Sequence, residues 1–140
     1  MKVRLLASLK AGLLAGLAAA LINAILFFFF RQAGVITDSV LLPNQQPMTV
    51  VPVIVSSLVL ALLGSVAYYL LARFTGDGYR YITIIASVLL ILSFANPFFG
   101  IPGVTVPYAL ALNVMHVVVV AALLYALRQF TAPAPDPVKP

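Results

Sequence analysis

Hydrophobic residues dominate the chain in four long runs, and the few polar and turn residues serve as punctuation between them. Residues 11–30 are free of charge and match the roughly 20 residues a helix needs to cross ~30 Å of hydrocarbon. The second run, 50–72, opens at Thr49 as a helix cap with Pro52 in its first turn, where a missing N–H is harmless, and closes at Arg73. The third, 81–99, carries Asn96-Pro97 near its end, and proline disfavours helical geometry in the residue before it, so a stop or kink is expected there. The fourth, 106–127, has Thr105 as cap and Arg128 as stop. Lipid offers the backbone no hydrogen-bond partners, so each run is expected to be helical. The pattern predicts an all-α integral membrane protein, an up-down four-helix bundle in one domain over residues 1–130, followed by a disordered Pro-rich cytoplasmic tail at 131–140.

The placement of the basic residues orients this bundle. Lys2, Arg4 and Lys10 precede the first run, Arg73 and Arg80 flank the second connection, Arg128 and Lys139 follow the fourth run, and Arg31 alone lies on the other side. Such asymmetry predicts cytoplasmic N and C termini, with the connections 31–49 and 100–105 facing outward. Met1-Lys2-Val3-Arg4 ahead of an apolar run and Ala18-Ala19-Ala20 also fits a secretory signal peptide, but the run continues through Ile25 to Phe30, so a retained anchor is expected. The net charge of +5 reads first as a topology signal. It is spread over short segments, which argues against nucleic-acid binding and for attraction to anionic lipid headgroups.

Small residues at four-residue spacing suggest how the helices pack. Gly12, Gly16, Ala20 and Ala24 form one stripe, with Ala11, Ala15, Ala19 and Asn23 beside it, while Ser57, Ala61, Ser65 and Tyr69 lie along the second run. Such faces allow close backbone approach, and packing within the bundle is the first reading, self-association the alternative. Gly76-Asp77-Gly78 predicts a tight turn that makes the second and third helices antiparallel neighbours. Both outward connections are unusually apolar, with Ile36, Val40, Leu41, Leu42 and Met48 in one and Phe98, Phe99, Ile101 and Val104 in the other. They are expected to cap the bundle at the membrane interface; a lid over a cavity or a docking surface for another subunit is the alternative.

Composition removes most chemistry. Glutamate and cysteine are absent, and the acids Asp38, Asp77 and Asp136 fall in separate connections or tails, so paired carboxylates, thiolate nucleophiles and cysteine-based metal sites are excluded. The sole histidine, His116, lies near the middle of the fourth run with Asn113 on the same face. Asn23 and Ser57 are placed at a depth similar to Asn113, and these side chains are expected to meet, with Asn23 a candidate partner of His116. The first reading of this set is a polar cluster that fixes helix register. The alternatives are ligand or quinone contacts, an axial ligand to haem or chlorin at His116, and a proton relay. No metal site is expected otherwise, and no resident cofactor.

The segments from Gly12 to Asn23, from Pro47 to Ser57, Leu71-Ala72-Arg73-Phe74-Thr75, from Leu89 to Pro97 with Ile101-Pro102-Gly103-Val104, and Leu112-Asn113-Val114-Met115-His116 resemble a family of small four-span bacterial membrane proteins classed as a domain of unknown function. The resemblance implies the same fold in a bacterial plasma (inner) membrane and brings no activity with it. Two functions remain: a non-enzymatic structural or accessory subunit of a membrane assembly, with itself or other membrane subunits as partners, and a binder or carrier of a lipid-like or quinone-like molecule under the outer loops. An enzyme comes third, because a lone histidine lacks an orienting carboxylate.

Overall fold

The computed structural model describes residues 3–131. Among them the regular elements are helical: α1 (Leu5–Gln32), α2 (Val50–Phe74), α3 (Gly78–Ser93), the short α4 (Asn96–Gly100) and α5 (Val106–Thr131). Three of these, α1, α2 and α5, are long and apolar enough to cross a membrane, while α3 is apolar but only 16 residues long. Their outward surface is apolar, with Leu21, Ile25, Leu63 and Ile91 all exposed, a surface suited to lipid and not to water. The protein is thus a multi-pass membrane protein by the length, hydropathy and lipid-ready surface of its helices.

The helices outrun the uncharged segments from which they were expected. α1 starts at Leu5, so Lys10 stands exposed on the helix instead of preceding it, and α5 continues past Arg128 to Thr131. Backbone hydrogen bonding needs no hydrophobic side chains, so a helix continues into the interface after the apolar run ends. Thr131 therefore belongs to α5 and not to the tail, and its side chain is 2.9 Å from the Tyr68 hydroxyl. The remainder of the tail expected at 131–140 lies outside the described residues.

α1, α2 and α5 form the tight part of the bundle. α1 buries Ala11, Gly12, Ala15, Gly16, Ala19 and Ala20. A Cβ added at Gly12 would collide with the side chain of Ser65, and one added at Gly16 would sit 3.1 Å from Leu58 Cα, so these glycines are what lets α1 and α2 touch. The face of α2 is Val53, Ser57, Ala61, Ser65 and Tyr68. Tyr69, expected on that face, is only half-buried, and so is Ala24 at the end of the α1 stripe. Steps of four residues advance about 400° around a helix of 3.6 residues per turn, so a four-residue stripe drifts ~40° per step and leaves the contact after three steps.

α3 packs on this core mainly through its first half. Asp77 caps it by accepting from the Arg80 N–H at 3.1 Å, Gly78 lies so close to Ala72 that a Cβ there would strike the α2 backbone, and Tyr79 donates to the Leu124 carbonyl at 3.3 Å. Its buried residues are Gly78, Ile82 and Ala86; farther on, Leu89, Ile91 and Leu92 face outward. The end of the bundle near α3's start is filled by Tyr68, Ile82, Leu123 and Leu127. At the opposite end the connection 33–49 folds back over the helices, placing Ile36 and Val40 among Phe27, Val53, Ile101, Tyr108 and Met115. A turn at residues 42–46, with Gln45 in the left-handed region at φ +61°, and an Arg31–Asp38 ion pair of 2.8 Å hold this apolar cap in shape.

Candidate functional site

Proline 97 sets up the polar chemistry at the loop end of α3. It has no N–H for the Ser93 carbonyl, and the neighbouring N–H groups tighten to three-residue bonds: Phe94 to the Ile91 carbonyl, Ala95 to Leu92 and Phe98 to Ala95. Phe94 and Ala95 keep helical dihedrals, so the chain continues in nearly the same direction into α4. The expected third segment of 81–99 is therefore two helices with a tightened joint. The joint leaves carbonyls without their usual donors, and in an apolar bundle these must be met by side chains.

Two residues of α5 face that joint. Asn113 Nδ2 donates to the Phe94 carbonyl at 3.2 Å, supplying the bond that Phe98 no longer makes. His116 Nδ1 is 3.1 Å from Ser93 Oγ, which is itself 2.7 Å from the Leu90 carbonyl. That carbonyl has lost the Phe94 N–H to Ile91, so the Ser93 hydroxyl proton belongs to it. The hydroxyl oxygen then accepts, His116 Nδ1 carries the hydrogen, and Nε2 is left as a bare acceptor.

Asn23 and Ser57 meet each other, between α1 and α2. Asn23 is 1% exposed and spends both amide hydrogens, one on Ser57 Oγ and one on the Met115 carbonyl, each at 3.1 Å. Ser57 in turn donates to the Val53 carbonyl at 2.8 Å, which fixes its oxygen as the acceptor toward Asn23. The four polar residues singled out in the sequence thus form two groups. Asn23 pairs with Ser57 across α1 and α2, whereas Asn113 and His116 serve the α3–α4 joint, and Asn23 makes no hydrogen bond with His116. The groups are separate because Asn23 turns its amide to Ser57 and the Met115 carbonyl, about 100° round α5 from the His116 side chain, although all of them border the same space. Asn23 Oδ1, Asn113 Oδ1 and the Tyr108 hydroxyl are buried without a partner.

The loosely seated α3 leaves open space beside these groups. One cavity, of about 410 Å³, lies under the cap between α2, α4 and α5; its wall includes Asn23, Leu42, Met48, Ser57, Asn96 and His116. A second, of about 520 Å³, runs along the gap between α2, α3 and α5, past Gly64, Ala86, Leu89 and Ser93. Leu60, Asn96, His116 and Val119 line both, so the two spaces adjoin at His116. Both volumes fall within the ~300–1,000 Å³ of small-molecule sites. Their walls contain no lysine, arginine or aspartate. Among the described residues no three histidines or acids gather to hold a metal ion.

Ser93 and Asn96 were not picked out as site residues from the sequence. Asn96-Pro97 marked a helix break, and the carbonyls such a break exposes called for polar partners on a facing helix, but which helix faced them was not legible.

An all-helical, multi-pass membrane protein with an uncharged groove beside a proline-broken helix is the class that fold and site define. The chain belongs to the family of unknown function DUF6069, whose model matches residues 4–133. That agrees with the resemblance to a domain of unknown function seen in its sequence. No curated protein and no solved structure matches the chain.

Proposed function

We propose that this protein is a non-enzymatic binder of an uncharged lipid-like or quinone-like molecule, held in the groove between α2, α3 and α5 with the apolar loops as its roof. The observation that carries the reading is the meeting of the two cavities at His116 and Asn96, polar groups at the head of a gap along α3 that is otherwise lined mostly by apolar side chains. A long amphiphile has its tail accommodated along α3 and its polar end beside His116, under Leu42 and Met48 of the cap. No carboxylate or second titratable group lines the groove, which favours binding over catalysis.

The same reading places four crossings in a bacterial plasma membrane with both termini cytoplasmic. α3 alone covers about 24 Å, short of the hydrocarbon core, but residues 78–100 taken with α4 cover roughly 34 Å at 1.5 Å per residue. The basic residues support the orientation, and the family resemblance supports the bacterial setting. A second reading, an accessory subunit whose partner lays a helix in the groove, is favoured by the exposed Leu89, Ile91 and Leu92 of α3 and by Phe99, 89% exposed beyond them.

Native mass spectrometry of the protein in mild detergent separates these readings. Wild type is expected to retain a lipid-sized adduct, and Leu60→Trp to lose most of it, since Leu60 lines both cavities and is 50% exposed, leaving room for the larger ring to enter the groove. A protein-sized increment supports the accessory reading. A bare monomer in both samples overturns both.

A further inference from the structure

We infer that the groove selects a lipid presenting a hydroxyl hydrogen-bond donor, such as a lipid alcohol or a quinol, over lipids whose headgroups only accept or carry charge. The inference rests on the groove reading above and narrows its ligand class. It follows from the direction of the hydrogen bonds at the polar point. His116 is fixed with its hydrogen on Nδ1, because Ser93 gives its own proton to the Leu90 carbonyl and has only lone pairs to offer the ring. Nε2, for which no partner exists among the described residues, is then an acceptor at the junction of the two cavities. Asn23, in the wall of the loop-end cavity, has committed both amide hydrogens to Ser57 and Met115 and its Oδ1 is sealed from the cavity, so it offers a ligand no donor.

The hydrogen-bonding capacity left over at His116 therefore asks for a donor. A hydroxyl completes it. A hydroxyl can also accept from the Asn96 amide, which lines both cavities, whereas an ether, an ester carbonyl or an oxidised quinone can only accept there and leaves Nε2 unpaired in a medium without water, a costly outcome for a polar group. A phosphate or carboxylate would enter with no cation in the wall to meet it. Ser93 acts here as a positioning residue: its bond to Leu90 decides which nitrogen of His116 holds the hydrogen.

Geranylgeraniol and its O-methyl ether test this directly, because they share a tail and differ by the one donor. In competition binding to the full chain in mild detergent, the alcohol is expected to bind about tenfold tighter than the ether. His116→Phe should bring the alcohol-to-ether ratio down to about one, and an unfolding curve like that of wild type reports an intact bundle. Ser93→Ala should cut the alcohol-to-ether ratio to below about threefold, since the ring is then free to place its hydrogen on Nε2 and donate to the ether. Equal binding of the two probes to wild type, a preference for the ether, or an unaltered ratio in both variants overturns the donor inference and leaves the groove reading standing. Failure of both probes to bind wild type overturns both.

Discussion

Adding one methyl group at Gly12 should measurably loosen the bundle, and removing the side chain opposite should restore it. A Cβ on residue 12 would overlap Cβ and Oγ of Ser65 and lie 3.1 Å from the Ala61 carbonyl oxygen. Ser65 cannot swing away cheaply: it is fully buried and its hydroxyl donates to the Leu62 carbonyl at 2.7 Å. Overpacking of this kind costs about 1–3 kcal/mol, and the rigid neighbour puts Gly12→Ala near the upper end. Replacing a helical glycine by alanine returns about 1 kcal/mol, so the net destabilisation is about 2 kcal/mol. Ser65→Gly alone should cost about 1 kcal/mol through backbone entropy and lost contact. Together the two changes exchange the Ser65 hydroxymethyl for a methyl on the facing helix, and the double variant should be no worse than Ser65→Gly, a coupling of about 2 kcal/mol where neighbours in contact show about 0.5–3. Reversible denaturant unfolding in mild detergent, followed by circular dichroism, reads all four species. Gly76→Ala, with nothing within 4 Å of its new Cβ, is the control and should change stability by less than about 0.5 kcal/mol. Wild-type stability in Gly12→Ala, or a double variant as unstable as the sum of the singles, would refute the close α1–α2 contact.

Asn113→Leu should cost about 1 kcal/mol by leaving the Phe94 carbonyl without a donor, and visibly less in a Pro97→Ala background, where the N–H at position 97 returns and the helical ladder can re-form; equal costs in the two backgrounds would show that Asn113 does not serve the proline joint. Because the chain has no cysteine, single cysteines report topology: Asn44→Cys should react with a membrane-impermeant maleimide in intact cells and Gly76→Cys only after lysis, whereas the reverse pattern inverts the orientation. Asn23→Ala should lose two hydrogen bonds worth about 0.6 kcal/mol each in a membrane setting, a combined loss of about 1 kcal/mol before any cavity cost; unfolding unchanged from wild type would show that the Ser57 and Met115 bonds contribute nothing.

Hydrophobic runs and their breaks made the helical class and the glycine contact legible, since both depend on local spacing. The Gly12–Gly16 stripe needed only a partner with small residues, and Ala61 and Ser65 were visible on α2. Tyr68 in place of Tyr69 shows where spacing alone fails, because the drift of a 3.6-residue helix accumulates beyond three turns. The polar site was legible as a set of residues but not as a set of pairs. Asn23, Ser57, Asn113 and His116 stand out in any apolar run, yet their division into an α1–α2 pair and a pair serving the α3–α4 joint depends on how α5 is rotated between its neighbours. Ser93 was hidden for a related reason. Its importance comes from the Leu90 carbonyl, uncovered seven residues before Pro97, and from the histidine of another helix, and neither has a signature at position 93.

The claim that a lipid-like ligand sits in the groove beside α3 is tested most directly by where such a ligand touches the protein. A long-chain alcohol carrying a diazirine at mid-chain can be bound to the detergent-solubilised protein, photolysed and mapped by peptide mass spectrometry. Labelling should concentrate on the walls of the groove, at Leu60, Leu89 and Val119, and should be displaced by excess unlabelled alcohol. Labels spread evenly over exposed lipid-facing side chains such as Leu21, Ile25 and Phe29 of α1, without displacement, would contradict it.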